Sequence, residues 1–269
     1  MQIGIMSTSL EFRTLAEAFQ QAAEAGASGL EIVCHTDQDA EELTKDDYLA
    51  EMLELSSKSG VTVCSICLSN LSKRASLIGT EQQIESGKAV VRSALQAARK
   101  ASIGLVLVPF CGRNAIEVEQ ELAKAADSVL DLTEFAEQSG VVLAVASTLN
   151  FDQQQFLLDY VAGNEFVKIS GDTGNALARK MDFATGIRDL GPTAIGQVHF
   201  RDVRLVEGSP PDFQIALGDG DVDFRAAARA LQAVSYDGWV VLETPAGDDP
   251  ITSGRTNLAF AREVLAISD

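Results

Sequence analysis

The sequence lacks the features of a secreted, membrane or nucleic-acid-binding protein. No apolar run approaches the ~20 residues of a membrane-spanning helix, and the N-terminal residues lack the basic and then apolar stretch of a signal peptide. Only 21 side chains are basic against 39 acidic ones, so the formal net charge is −18. Because this charge repels phosphate backbones and anionic headgroups, we expect no nucleic-acid or membrane partner. The lack of a signal peptide and of a membrane-spanning run predicts a soluble, cytoplasmic protein.

Linker segments and a disulfide pattern are also missing. No Pro/Ser/Gly-rich or low-complexity stretch interrupts the chain, so we expect one domain over residues 1–269. Only four cysteines are present, at Cys34, Cys64, Cys67 and Cys111. Cys64 and Cys67 are three residues apart in a strand-like run, which places them on opposite faces and argues against a redox or zinc pair. We expect them to be buried, reduced thiols.

Short apolar runs rich in Val, Ile and Leu alternate with longer amphipathic segments along the whole chain. The runs predict eight strands, at 2–6, 29–34, 61–68, 104–109, 141–146, 166–172, 195–200 and 238–243. The amphipathic segments predict helices, as at 13–25, 44–59, 81–101 and 115–139, and several end at glycine. Eight β-α units in about 250 residues are typical of a barrel, whereas open doubly wound sheets have fewer strands. We therefore predict an α/β fold, a single (β/α)8 TIM barrel.

Three predicted strands in the C-terminal half end at a side chain that can bind a metal ion. These side chains are Asp172, His199 and Glu243. Each alone has a simpler explanation, since a strand-end carboxylate is often a turn or helix cap and a single histidine is as often a hydrogen-bonded core residue. In a barrel, however, the carboxyl ends of the strands build the active site, and oxygen and imidazole ligands suit divalent cations. The coincidence on three successive strands favours a metal site.

Polar rows on two of these strands point to the same end of the barrel. Side chains two residues apart on a strand share a face, so the inward rows are predicted to be Lys168, Ser170 and Asp172, and Gln197, His199 and Arg201. A barrel interior is normally packed with branched apolar residues, so these rows indicate a site. Residues 203–221 contain Ser-Pro-Pro and Leu-Gly-Asp-Gly and predict an extended loop beside it.

Five motifs resemble those of the xylose-isomerase-like TIM-barrel superfamily of sugar isomerases and epimerases, and the resemblance covers essentially the whole chain. The motifs are Ala146-Ser-Thr-Leu-Asn150, Asp172-Thr-Gly-Asn175, Gly196-Gln-Val-His-Phe-Arg-Asp202, Leu217-Gly-Asp-Gly-Asp-Val-Asp-Phe224 and Tyr236-Asp-Gly-Trp-Val-Val-Leu-Glu-Thr-Pro245.

The resemblance implies a metal-dependent acid–base enzyme. In relatives such as the ketose 3-epimerases, Glu, Asp, His and Glu from strands five to eight hold one divalent ion, and the two glutamates exchange protons with the sugar. Carried over by motif, these positions are Ala146, Asp172, His199 and Glu243. The implied metal ligands are therefore Asp172, His199 and Glu243, with Glu243 catalytic and Ala146 standing where the other catalytic glutamate is missing. The implied ion is Mn²⁺, Mg²⁺ or Co²⁺, bound weakly by the incomplete set.

The reaction that the resemblance implies is isomerisation or epimerisation of a ketose or keto-sugar through a cis-enediolate. The sugar is the expected small-molecule partner, and the chain is compatible with a homo-oligomer. The implied substrate-binding residues are Arg201, Lys168, Asn175, Glu31 and His35. For Lys168 an ion pair with Glu31 inside the barrel is an equal alternative.

Ala146 leaves several interpretations open. It is either an engineered change or a natural divergence, and in both cases the chain is expected to be inactive or impaired. One alternative function is a keto-glycoside lyase or hydrolase that uses the same metal, and another is a non-catalytic sugar-binding or scaffold barrel. A repair endonuclease of the same superfamily needs a three-metal site, for which two histidines and a charge of −18 are unsuitable.

Overall fold

The computed structural model of the chain describes residues 1–72 and 75–266. Eight parallel strands pair in chain order and close into a barrel. They are β1 (Gln2–Met6), β2 (Gly29–Val33), β3 (Thr62–Cys67), β4 (Leu105–Phe110), β5 (Val142–Ser147), β6 (Val167–Asp172), β7 (Ile195–Phe200) and β8 (Trp239–Leu242). The predicted (β/α)8 barrel is confirmed, and each predicted strand agrees with the observed one to within two residues at either end.

The helices lie between these strands. They are α1 (Leu15–Ala25), α2 (Asp37–Glu42), α3 (Asp46–Ser59), α4 (Glu81–Lys100), α5 (Glu119–Ser139), α6 (Phe151–Tyr160), α7 (Thr173–Ala178), α8 (Phe183–Leu190), α9 (Phe224–Ala233) and α10 (Pro250–Leu265). Short 3-10 helices occur at Ser7–Ser9, Ser69–Ser72, Gly112–Asn114 and Pro192–Ala194. The segment predicted as one helix over 44–59 differs from the structure, since α2 precedes it and α3 begins only at Asp46. None of the described helices is long and apolar enough to cross a membrane.

Local capping explains where several helices begin and end. Thr80 and Gln83 form a reciprocal capping box at the start of α4, and Asn150 and Gln153 do so at α6. At the end of α1, Gly26 adopts a left-handed φ of 89°, which glycine reaches without a steric penalty. Glycine therefore ends this helix, as predicted, because it can adopt the left-handed backbone conformation that the helix end requires.

The chain divides into two compact units. One comprises Met1–Glu31, Leu55–Cys64 and Gly171–Asp269, and the other comprises Ile32–Glu54 and Ser65–Ser170. In the first unit α1 packs on α10 and α8 on α9, whereas in the second α4 packs on α5 and β4 pairs with β5. A single domain over residues 1–269 remains a prediction.

Buried apolar side chains fill the strands, and a few small residues make room for large ones. All six residues of β4 are buried. At Gly29 of β2 a Cβ atom would lie 2.5 Å from the ring of Trp239 of β8, so only glycine leaves room for this ring. Cys64 and Cys67 are buried and form no disulfide, as predicted.

A buried aspartate organises the long segment after β7. Asp202 is 1% exposed and accepts hydrogen bonds from the backbone N–H groups of Val203, Gly218, Gly220 and Val222 at 2.8–3.2 Å. Residues 203–221 contain neither a helix nor a strand, apart from one antiparallel bridge between Arg204 and Asp212. The extended loop is confirmed, and Asp202 fixes both of its ends.

We expect Asp202→Asn to lower the free energy of unfolding by about 2–4 kcal/mol. In asparagine one of the two acceptor oxygens is replaced by an NH2 group, which is itself a donor. The backbone N–H groups that this oxygen accepted then lose their hydrogen-bond partner while they stay buried. Urea unfolding followed by circular dichroism measures the change. The exposed Asp189→Asn is the matched control and should stay within about 0.5 kcal/mol. Equal stability of the two variants would show that the loop does not depend on this carboxylate.

Candidate functional site

Three potential metal ligands converge at the carboxyl ends of consecutive strands. Asp172 is the last residue of β6, His199 is the penultimate residue of β7, and Glu243 directly follows β8. One ligand atom from each lies within 4.8 Å of the others. Two carboxylates and an imidazole at this spacing suit a small divalent cation, and waters can complete its shell. The residues present therefore fit a divalent ion, although their role as ligands remains a prediction.

Asp172 is both a helix cap and a member of this cluster. Its Oδ1 accepts the backbone N–H of Asn175 at 2.7 Å, and its Oδ2 accepts the side-chain amide of the same residue at 3.0 Å. The cap interpretation and the ligand interpretation are thus compatible, since each oxygen retains a second lone pair. Burial and the negative charge of Glu243 raise the pKa of Asp172 to about 6.

The Asp-Thr-Gly-Asn motif joins the ends of β6 and β7. The Thr173 hydroxyl donates to the carbonyl of Arg201 at 2.8 Å and accepts its N–H at 3.0 Å. At Gly174 a Cβ atom would lie 2.9 Å from the same carbonyl, so only glycine permits this approach. Asn175, a predicted substrate-binding residue, uses its amide to hold Asp172, and its role toward a substrate stays a prediction.

His199 is enclosed between two carboxylates. Its Nδ1 lies 3.2 Å from Oε2 of Glu243, and its Nε2 lies 3.2 Å from Oε1 of Glu31. Burial by itself lowers the pKa of His199, but the charges and hydrogen bonds of Glu31 and Glu243 raise the pKa well above its ordinary value. The imidazole therefore carries a proton that a metal ion would have to displace from one nitrogen.

Glu243 forms an ion pair with Arg201 as well as with His199. Arg201 Nη1 lies 2.9 Å from Oε1 of Glu243, while Oε2 faces His199. Burial would raise the pKa of Glu243, but the hydrogen bond with His199 and the charge of Arg201 lower it, so this carboxylate is ionised at neutral pH. About a quarter of the Glu243 side chain is exposed, which leaves it accessible to a small molecule.

Two contributors to the site were missed in the sequence. The guanidinium of Arg201 lies 4.1 Å from the ring centroid of Phe213, a half-buried residue of the long loop. Asp202 anchors that loop. The sequence signal for Phe213 was a single aromatic residue in a polar loop. The signal for Asp202 was an aspartate directly after the polar row of β7.

The remaining predicted residues occupy the other compact unit. Ala146 lies near the end of β5, is half-buried and pairs in register with Ser170, two residues before Asp172. Lys168 is half-buried on β6 and pairs in register with Ala144. His35 follows β2 in an exposed position, where its backbone N–H donates to Asp39. The functional roles of all three stay predictions.

The family comparison agrees with this architecture. The model of the xylose isomerase-like TIM barrel family matches residues 19–264. No curated protein matches the chain.

Several similar solved structures are sugar epimerases. A 3-keto-D-glucoside 4-epimerase from E. coli has a TM-score of 0.79 at 20% identity and covers 98% of this chain and 99% of its own. The D-psicose 3-epimerase from Clostridium cellulolyticum H10 has a TM-score of 0.79 at 18% identity, with coverages of 99% and 100%. An L-ribulose 3-epimerase has a TM-score of 0.79 at 17% identity, with coverages of 98% and 94%. These identities establish likeness of fold, and the family model, which matches most of the sequence, shows that the chain belongs to the xylose isomerase-like TIM barrel family.

Proposed function

We propose that this chain has the site of a divalent-metal-dependent sugar isomerase or epimerase that acts on a ketose or keto-sugar. The observation that carries the proposal is the convergence of Asp172, His199 and Glu243 at the ends of three consecutive strands. The epimerase activities named for the similar structures support a sugar as the substrate class. The absence of nucleic-acid and membrane partners is proposed from the acidic charge alone, and a cytoplasmic location stays a prediction.

The proposed chemistry uses Asp172 and His199 to hold the ion, Glu243 both to hold the ion and to move a proton, and Arg201 to position Glu243. A divalent ion held by Asp172, His199 and Glu243 would act as a Lewis acid toward the carbonyl and adjacent hydroxyl of the sugar. The ionised Glu243 accepts the proton from the carbon next to the carbonyl. Arg201 holds Oε1 of Glu243 and thereby fixes the orientation of the carboxylate, with Phe213 packed against the guanidinium.

By the family resemblance, Ala146 stands where relatives carry the second proton-transfer glutamate. A methyl group neither binds a cation nor moves a proton, so we infer that turnover is impaired by about 10²–10⁴-fold relative to a site with a positioned carboxylate there. The same observation favours a second candidate function, a barrel that binds a keto-sugar without converting it. A lyase that expels a substituent from a keto-glycoside would use the same residues and is distinguished by its products.

We expect His199→Ala to weaken Mn²⁺ binding by more than about 10–100-fold. Loss of an outer hydrogen-bond partner of a metal ligand typically lowers metal affinity by about 10–100-fold. Loss of a ligand itself should lower the affinity further. Equilibrium dialysis measures the dissociation constant. His35→Ala removes the other histidine of the chain and should leave Mn²⁺ affinity unchanged. Equal affinities of the His199→Ala variant and the unmodified chain would remove the metal site from the proposal.

We expect Mn²⁺ affinity to fall as the pH is lowered through about 6. Below this pH the carboxyl of Asp172 is protonated because its folded pKa is raised to about 6, so a proton competes with the ion. The raised pKa of His199 extends this competition above pH 6, so affinity should keep rising as the pH is increased beyond 6.

Calorimetric titration across this range tests the pH dependence. Asp172→Asn should bind Mn²⁺ more weakly, and the part of its pH dependence that is centred near 6 should disappear. An affinity that is constant from about pH 5 to about pH 8 would contradict the assignment of both ligands.

We expect Ala146→Glu to raise solvent-deuterium incorporation next to the carbonyl of a ketose or keto-glycoside by about 100-fold or more. The new carboxylate supplies both a fourth ligand and the second proton-transfer group. Mass spectrometry of the recovered sugar, with Mn²⁺, Mg²⁺ or Co²⁺ present, measures the exchange.

The matched control is Ala146→Gln, which has nearly the same size and no carboxylate. Exchange that rises equally in the glutamine variant would show that proton transfer by this residue is not the cause. A glutamate variant that binds Mn²⁺ well and exchanges no deuterium would favour the binding or lyase candidates.

A further inference from the structure

Glu31 is a fully buried carboxylate that the proposed chemistry leaves unused. It lies in β2, is 0% exposed, and was predicted from the family resemblance to contact a substrate. Its two oxygens lie 3.2 and 3.4 Å from Nε2 of His199. Burying a carboxylate is costly unless hydrogen bonds and charge compensate it, so this position indicates a specific role.

The two nitrogens of the His199 ring face different carboxylates. Nδ1 lies beside Glu243, a member of the candidate ligand set, and Nε2 lies beside Glu31. A neutral imidazole has one N–H donor and one lone pair. A carboxylate lies beside each nitrogen, so these contacts alone do not select a tautomer. A divalent ion held by Asp172 and Glu243 would take the lone pair of Nδ1, the nitrogen on that side of the ring, and the remaining proton would then lie on Nε2 beside Glu31.

Gln197 contacts both members of this pair. Its side-chain amide donates to Oε2 of Glu31 and lies 3.0 Å from Nε2 of His199. Without an ion the amide can also donate to a lone pair on Nε2, whereas an ion on Nδ1 leaves the proton on Nε2, and the amide and the imidazole then both donate to Glu31. The inward row of β7 thus supplies the histidine and the amide that orients its partner.

We propose that Glu31 is a positioning residue that holds the Nε2–H tautomer of His199 and directs the Nδ1 lone pair toward a divalent ion at Asp172 and Glu243. This inference rests on the proposed function. It assigns Glu31 to the support of the metal site and not to substrate binding. The Glu31 carboxylate is 0% exposed and already contacts His199 and Gln197, so a sugar hydroxyl cannot reach it.

The first test is the affinity of Glu31→Gln for Mn²⁺, measured by electron paramagnetic resonance of the free ion. The dissociation constant should rise by about 10–100-fold, the usual effect of removing an outer partner of a ligating histidine. The matched control is Glu134→Gln, an exposed side chain of α5, which should bind Mn²⁺ as the unmodified chain does. Equal affinities of Glu31→Gln and the control would overturn the proposal.

The second test reads the tautomer directly and needs no variant of Glu31. The chain has two histidines, so a ¹⁵N–¹H spectrum of the imidazole rings is assigned with the single variant His35→Gln. In the unmodified chain loaded with diamagnetic Zn²⁺, the proton of His199 should reside on Nε2, and in Glu31→Gln this preference should weaken. A proton on Nδ1 of the unmodified chain would overturn the proposal even if Glu31→Gln failed to fold.

Failure of this inference is distinguishable from failure of the proposed function. If the unmodified chain binds neither Mn²⁺ nor Zn²⁺, the metal site itself is wrong and the role of Glu31 fails with it. If the unmodified chain binds the ions and Glu31→Gln binds them equally with the same tautomer, only the role of Glu31 is wrong.

Discussion

The arrangement of His199 between Glu31 and Glu243 is the interaction on which the rest of the site depends. Three carboxylates, from β2, β6 and the end of β8, are compensated by His199 and by Arg201. Removing one partner from such a buried cluster leaves an uncompensated charge, which is strongly destabilising. Burial and the negative charge of Glu243 raise the pKa of Asp172, so the two carboxylates repel each other, and a cation bound between them would relieve this repulsion.

Contacts outside the cluster keep its members in place. Asn175 holds the carboxylate of Asp172, and Thr173 joins the end of β6 to the backbone of Arg201. Asp202 fixes the long loop, and this loop carries Phe213 to the guanidinium of Arg201. The geometry of the site therefore follows from backbone hydrogen bonds as much as from the ligands themselves.

The sequence was sufficient to predict the strands and the three potential ligands, because short apolar runs and strand-end residues are local signals. It was insufficient for the contacts that depend on the closed sheet. Glu31 and His199 are 168 residues apart and meet only inside the fold, so no spacing rule connects them. Phe213 lies in a loop without periodicity, where the sequence does not indicate which side chain turns toward Arg201. The helix pair α7 and α8 between β6 and β7 was also not anticipated, since α7 has only six residues.

The most direct test of the central claim is anomalous diffraction from crystals grown with Mn²⁺. The account predicts one strong anomalous peak at the ends of β6, β7 and β8, at about 2.0–2.2 Å from a carboxylate oxygen of Asp172, Nδ1 of His199 and a carboxylate oxygen of Glu243. It also predicts Nε2 of His199 still within hydrogen-bonding distance of Glu31. A fully loaded crystal without a peak at these three residues, or with the ion bound to Nε2, would contradict it.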